Sequence, residues 1–134
     1  MEVSKKKLRG QVKVSGAKNS SLRLLAASLL TDKKIILENY PSQLLDVKVH
    51  EGMLKALGKG IYHITHDCVQ INEVEHNTIT DLIWNERSIR NTLLILGALT
   101  TRFGKGKVPL PGGCKLGERK YDLHVLALES LGAK

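Results

Sequence analysis

Two stretches of this chain, residues 16–58 and 88–132, pass through the same order of elements. Each opens a helix with a basic residue and Asn, then has a strand, a turn, and a helix that ends in Leu-Gly. Lys18-Asn19 in the first stretch corresponds to Arg90-Asn91 in the second, and Ala56-Leu57-Gly58 to Ser130-Leu131-Gly132. Such self-similarity marks one supersecondary unit used twice, because a unit that cannot bury its apolar face alone is completed by a neighbour of like shape. The fold class that follows is α/β, built from repeated small units.

Local patterns fill in the units. Residues 10–15 alternate polar and β-branched side chains (Gln11, Val12, Lys13, Val14) and predict a half-exposed strand ended by Gly16. Leu22, Leu25, Ala26, Leu29 and Leu30 have the spacing of an amphipathic helix that runs to about Thr31, with Asn19 or Ser20 placed to cap its first turn. Residues 35–38 read as a strand broken by Asn39-Tyr40-Pro41. Residues 46–57 return to helical spacing through Val49, Met53, Ala56 and Leu57, and Gly58 suits the C′ position. Strands at 61–64 and 69–71 form a hairpin about Thr65-His66-Asp67, and Cys68, beside Val69, is expected in the core. Periodicity is weakest over 72–87, where the pattern gives no firm assignment beyond a loop with a short strand near 78–83. From Ser88 a helical pattern (Ile89, Leu93, Leu96, Thr100) closes at Phe103-Gly104, and a strand at 107–110 and a loop at 111–120 follow. The last helix starts at Asp122, is stopped by Gly132, and carries His124, Ala127, Leu128 and Leu131 on one face, so His124 is expected to be packed.

A length of 134 residues suits one folding unit. With 42% hydrophobic and 25% charged residues the chain can bury a core, which excludes disorder. Its 21 Lys and Arg against 13 Asp and Glu give +8 and favour anionic partners. Aromatic residues make up only 4%, too few to stack on bases, so phosphate-bearing small molecules are expected rather than nucleic acid. Cys68 and Cys114 lack CxxC spacing and the five histidines lack HExxH spacing, so no disulfide framework, metal or cofactor is expected, and a reducing cytoplasm fits. No apolar run reaches signal-peptide or membrane-span length, and no membrane partner is expected.

The segment 104–122 is the most informative for chemistry. Its five glycines, with Pro109 and Pro111 stiffening the approach, suit a loop that opens and shuts. Cys114 lies among Lys105, Lys107, Lys115, Arg119 and Lys120, a charge pattern that favours the thiolate. From the residues alone it is either a reactive cysteine beside an anion site or an inert residue of a solvated turn. Lys18-Asn19 likewise reads either as a phosphate site at a helix start or as a solvated lysine before a capping asparagine. Arg90, in the slot of Lys18, would complete a basic triad with Lys18 and Arg119.

The ordered set Ser15-Gly16-Ala17-Lys18-Asn19, Arg90, and Leu110-Pro111-Gly112-Gly113-Cys114-Lys115-Leu116-Gly117-Glu118-Arg119-Lys120-Tyr121-Asp122-Leu123-His124 resembles the UDP-N-acetylglucosamine enolpyruvyl transferases of bacterial peptidoglycan synthesis. The resemblance covers nearly the whole chain but only the N-terminal part of a family member. It implies the inside-out α/β barrel fold in incomplete form. Residues 1–15 would be a strand that in the family joins the second domain, and 16–134 a partial first domain with about two of its three units.

The activity implied is enolpyruvyl transfer from phosphoenolpyruvate to UDP-N-acetylglucosamine, without a cofactor. By the same resemblance Lys18 holds the phosphate of phosphoenolpyruvate, and Arg119 meets it when the loop closes. Asn19 contacts the sugar nucleotide, and Arg90 lies near the phosphoenolpyruvate pocket. Cys114 forms a covalent adduct with phosphoenolpyruvate and is the residue alkylated by fosfomycin. Arg119, Lys120, Tyr121, Asp122 and Leu123 make the strip around the uracil ring. Lys120 departs from the usual proline there, and Lys48 from the usual second aspartate after Leu44-Leu45-Asp46. The family's general base and the arginines of its second domain lie outside the matched part. The chain is therefore expected to be inactive alone, and to self-associate through the face a third unit would cover. A non-catalytic nucleotide-sugar-binding or regulatory module is the alternative.

Overall fold

Leu22, Leu25, Ala26 and Leu29 are all buried, one apolar stripe along the first helix that packs against two further helices. The computed structural model describes residues 7, 9–76, 78–87, 89, 91–110 and 121–134. In chain order these form α1 (Lys18–Ala27) with a 3-10 turn at Ser28–Leu30, β1 (Ile35–Glu38), α2 (Leu45–Ala56), β2 (Lys59–Thr65), β3 (Cys68–Glu73), α3 (Thr92–Phe103) and α4 (Asp122–Ser130). The sheet is antiparallel in the order β1-β3-β2, with Ile35 and Ile61 flanking Ile71 across the ladder. Val69, Ile71 and Ile61 turn inward and join Leu25, Val47, Met53, Leu54, Ile95 and Leu99 in the core. Among the described residues no helix is long and apolar enough to cross a membrane.

The paired helix ends read from the sequence recur in the backbone. α2 ends at Leu57 with Gly58 at φ 81°, and α4 ends at Leu131 with Gly132 at φ 96°. Both are left-handed positions that only glycine occupies without strain. The two halves differ in burial. α2 buries Val47, His50, Glu51, Met53 and Leu54 against α1 and β2. α4 buries none of its residues, leaving Leu123 74%, Leu126 57% and Leu131 86% exposed. His124, expected to be packed, is exposed for the same reason: no hairpin lies beside α4 among the described residues as β2–β3 lies beside α2.

Other expectations need correction. Residues 11–17 form no strand, and Val12 and Val14 are 87% and 77% exposed. Alternation makes a strand only where a neighbour supplies ladder hydrogen bonds, and none pairs here among the described residues. Nor does Asn19 or Ser20 cap α1. The N-cap is Ala17, without a side-chain hydrogen bond. The strands expected near 78–83 and at 107–110 meet only as one parallel bridge, Asp81 with Lys107, because Pro109 has no N–H to extend a ladder. Cys68 is half-buried at the start of β3 rather than in the core.

Two close approaches fix the surroundings of α2. Its Gly52 faces Trp84, whose ring a Cβ at that position would approach to 2.5 Å, so residues 78–87 fold over the helix. Gly16 lies against the turn after β1, where a Cβ would collide with the Asn39 carbonyl and crowd Pro41. That turn is itself pinned to the hairpin, since the Tyr40 amide donates to the Asp67 carbonyl at 2.7 Å and the Ser42 hydroxyl to the His66 carbonyl at 2.6 Å. Gly16→Ala is expected to lower the unfolding free energy by about 1–3 kcal/mol, as other overpacked contacts do. An unchanged thermal melt would show that the segment before α1 does not rest on this turn.

Candidate functional site

α1 and α3 lie side by side, and their first turns meet His124 of α4 around a cleft of about 200 Å³. Asn19, Arg23, Asn91, Leu93, Leu94 and His124 line it. Asn19 and Arg23 share one face of α1 at i, i+4, and Asn91 is the N-cap of α3. Neither helix has an acidic residue in its first turn or a side-chain hydrogen bond at its N-cap. The cleft therefore collects two positive helix ends, two amides, a guanidinium and an imidazole, with no carboxylate among the described lining residues. Such a surface suits an anion carrying hydrogen-bonding groups, because the amides both donate and accept.

Lys18 and Asn19 are neighbours in sequence but point in different directions. The Lys18 Nζ lies 2.9 Å from Asp46 Oδ2 on α2, in a partly exposed ion pair, and Lys18 does not line the cleft. Successive helix residues diverge by roughly 100°, which aims Lys18 at α2 and Asn19 at α3. Lys48, the departure on α2, donates to Gln43 Oε1 at 3.3 Å. Tyr121 is the N-cap of α4, Asp122 sits in its first turn, and Leu123 is exposed beside it. Arg90, Cys114, Arg119 and Lys120 lie outside the described residues.

Arg23 and His124 were missed as cleft residues. Arg23 was legible as the i+4 neighbour of Asn19, and Asn91 as the counterpart of Asn19 in the second unit. His124 closes the matched motif, but its helical position suggested packing.

A second polar group lies behind α2. The Tyr40 hydroxyl donates to Glu51 Oε1 at 2.7 Å, and His63 Nε2 lies 3.2 Å from Glu51 Oε2. Burial, then the hydrogen bond and charge of Glu51, push the Tyr40 phenol well above its ordinary range. A cavity of about 360 Å³ between residues 13–16 and the turn after β1 is set apart from the cleft. Its charged groups Lys13 and Asp67 already pair with each other at 3.4 Å, so it offers no free charge to a ligand from that pair.

A model of the EPSP synthase (3-phosphoshikimate 1-carboxyvinyltransferase) family matches residues 3–134. UDP-N-acetylglucosamine 1-carboxyvinyltransferase of Prochlorococcus marinus (strain MIT 9515) is 44% identical over 98% of this chain and 28% of its own length. A second such enzyme, from Carboxydothermus hydrogenoformans, is 45% identical over 95% of the chain and 30% of its own. A third, from Legionella pneumophila (strain Lens), is 44% identical over 97% and 25%. The chain thus spans less than a third of the length of these curated relatives. With the family match running almost end to end, the chain belongs to the EPSP synthase family, as a homologue of UDP-N-acetylglucosamine 1-carboxyvinyltransferases.

Proposed function

We propose that this chain forms the first-domain wall of an enolpyruvyl transferase site, binding UDP-N-acetylglucosamine in the cleft between α1, α3 and α4. The observation that carries this reading is the meeting of Asn19 and His124, from opposite ends of the family pattern, in one cleft without carboxylates among its described lining residues. In this reading Asn19 and the strip Arg119, Lys120, Tyr121, Asp122 and Leu123 hold the sugar nucleotide. Lys18, Arg90 and Arg119 neutralise the phosphate of phosphoenolpyruvate, and Cys114 is the loop nucleophile. Asp46 holds the Lys18 ammonium until a phosphate competes for it. Transfer adds a sugar hydroxyl across the enol double bond with a proton to the methylene carbon, and then removes a proton from the resulting methyl group as phosphate leaves, which restores the double bond. It needs acid–base groups and charge stabilisation on both sides of the substrate, and this chain supplies one side.

The 134-residue chain is accordingly expected to bind UDP-N-acetylglucosamine saturably in calorimetry. It is expected to release no phosphate from phosphoenolpyruvate above background with both substrates present. Absence of saturable binding overturns the reading. Phosphate release that needs both substrates and is lost in Cys114→Ser overturns the expectation that one wall is insufficient.

A further inference from the structure

We propose that Arg23 is a further specificity-determining residue of the cleft, a ligand for the diphosphate of the bound sugar nucleotide; this rests on the cleft being the sugar-nucleotide site. Arg23 follows Asn19 by one turn on the same face of α1, an axial step of about 6 Å. A sugar nucleotide joins its sugar directly to a diphosphate, so a residue that holds the sugar needs a cation about one turn away for the adjoining phosphates.

Among the described residues Arg23 is the one guanidinium or ammonium that lines the cleft, and it has no carboxylate partner there. Lys18, which the sequence offers as the cation of this helix, is engaged by Asp46 and turned away. Arg23 also borders the adjoining groove between α1 and α3 with Ala27, Leu30 and Leu94. Between that groove and the polar cleft, its planar head can meet two phosphate oxygens at once. A sugar or nucleoside without phosphates gains nothing from such a group. Arg23 therefore selects for the phosphorylated ligand.

The test uses the full 134-residue chain with UDP-N-acetylglucosamine and inorganic pyrophosphate as calorimetric probes, at two salt concentrations. Arg23→Gln is expected to weaken both probes about tenfold or more and to flatten the salt dependence, with Arg23→Lys recovering part of the loss. Arg23 is exposed, so both variants should keep the wild-type thermal melt, which serves as the control for folding. Equal affinity of wild type and Arg23→Gln for UDP-N-acetylglucosamine overturns the role of Arg23 and leaves the reading of the cleft standing. Pyrophosphate binding that Arg23→Gln abolishes, without binding of UDP-N-acetylglucosamine, supports the diphosphate role and overturns the sugar-nucleotide reading. Failure of both probes to bind wild type overturns both.

Discussion

Lowering the pH from about 7.5 to about 4 is expected to remove about 3 kcal/mol of unfolding free energy through one side chain, His50. His50 is fully buried on α2, and neither ring nitrogen has a hydrogen-bond partner among the described residues. Burial therefore disfavours its charged form and pushes its pKa from 6.5 down to about 4. The unfolded chain takes up a proton as the pH falls through 6.5, while the folded chain refuses it until about 4. The stability is thus fully present above about pH 6.5 and is lost progressively as the pH falls toward 4. Asp67, whose carboxyl is held below its ordinary value of 3.8 chiefly by the Thr65 hydroxyl, titrates below this window and does not confuse it. Urea denaturation at several pH values checks the expectation against His50→Leu. That variant fills a similar volume without a titrating group, so its acid slope should flatten. An equal slope in both proteins would show that His50 is not what makes the fold acid-sensitive.

The other large effect is expected at Glu73. Its carboxylate receives Arg102 Nη1 at 2.7 Å and Nη2 at 3.1 Å, and Lys59 Nζ at 3.0 Å, with the Lys59 and Glu73 side chains only 1% and 5% exposed. Lys59 also donates to the Thr31 carbonyl and Arg102 to the Leu29 carbonyl. One acid thus ties the hairpin, the end of α1 and the end of α3 together, and so holds side by side the helices whose other ends form the cleft. Glu73→Gln leaves two cations facing a group that no longer balances them, at a cost of about 3–5 kcal/mol. A domain of ordinary stability has about 5–15 kcal/mol in all, so the variant should melt far earlier and lose ligand binding with its fold. Replacing the whole triad, with Lys59→Met, Glu73→Leu and Arg102→Met together, should restore much of the loss, because apolar side chains need no compensating charge. A Glu73→Gln protein within about 1 kcal/mol of wild type would show that the network is not buried as described.

What the sequence determined by itself was whatever depends on near neighbours in the chain. The stripe Leu22, Leu25, Ala26 and Leu29 sufficed for α1, the hairpin turn Thr65-His66-Asp67 for β2 and β3, and the terminal Leu-Gly pairs for the ends of α2 and α4. The ordered motif from Ser15 to His124 sufficed for the family. Periodicity and turn chemistry act within a few residues and can be read there.

Tertiary structure decided what depends on a distant partner. Met53 and Leu57 of the apolar spacing read for α2 are buried, but Glu51 is buried on the same helix, because Tyr40 and His63 supply it with partners that helical spacing does not show. Val12 and Val14 alternate as strand residues do, but among the described residues no neighbouring backbone completes the ladder. Lys18 and Asn19 look like one anion site in the sequence. Asp46 on one side and Asn91 with His124 on the other divide them, and Arg23 becomes the cation of the cleft among the described residues only because α3 and α4 approach that face of α1. A side chain's charge is written in the sequence, but the direction it faces is set by which helix packs beside it.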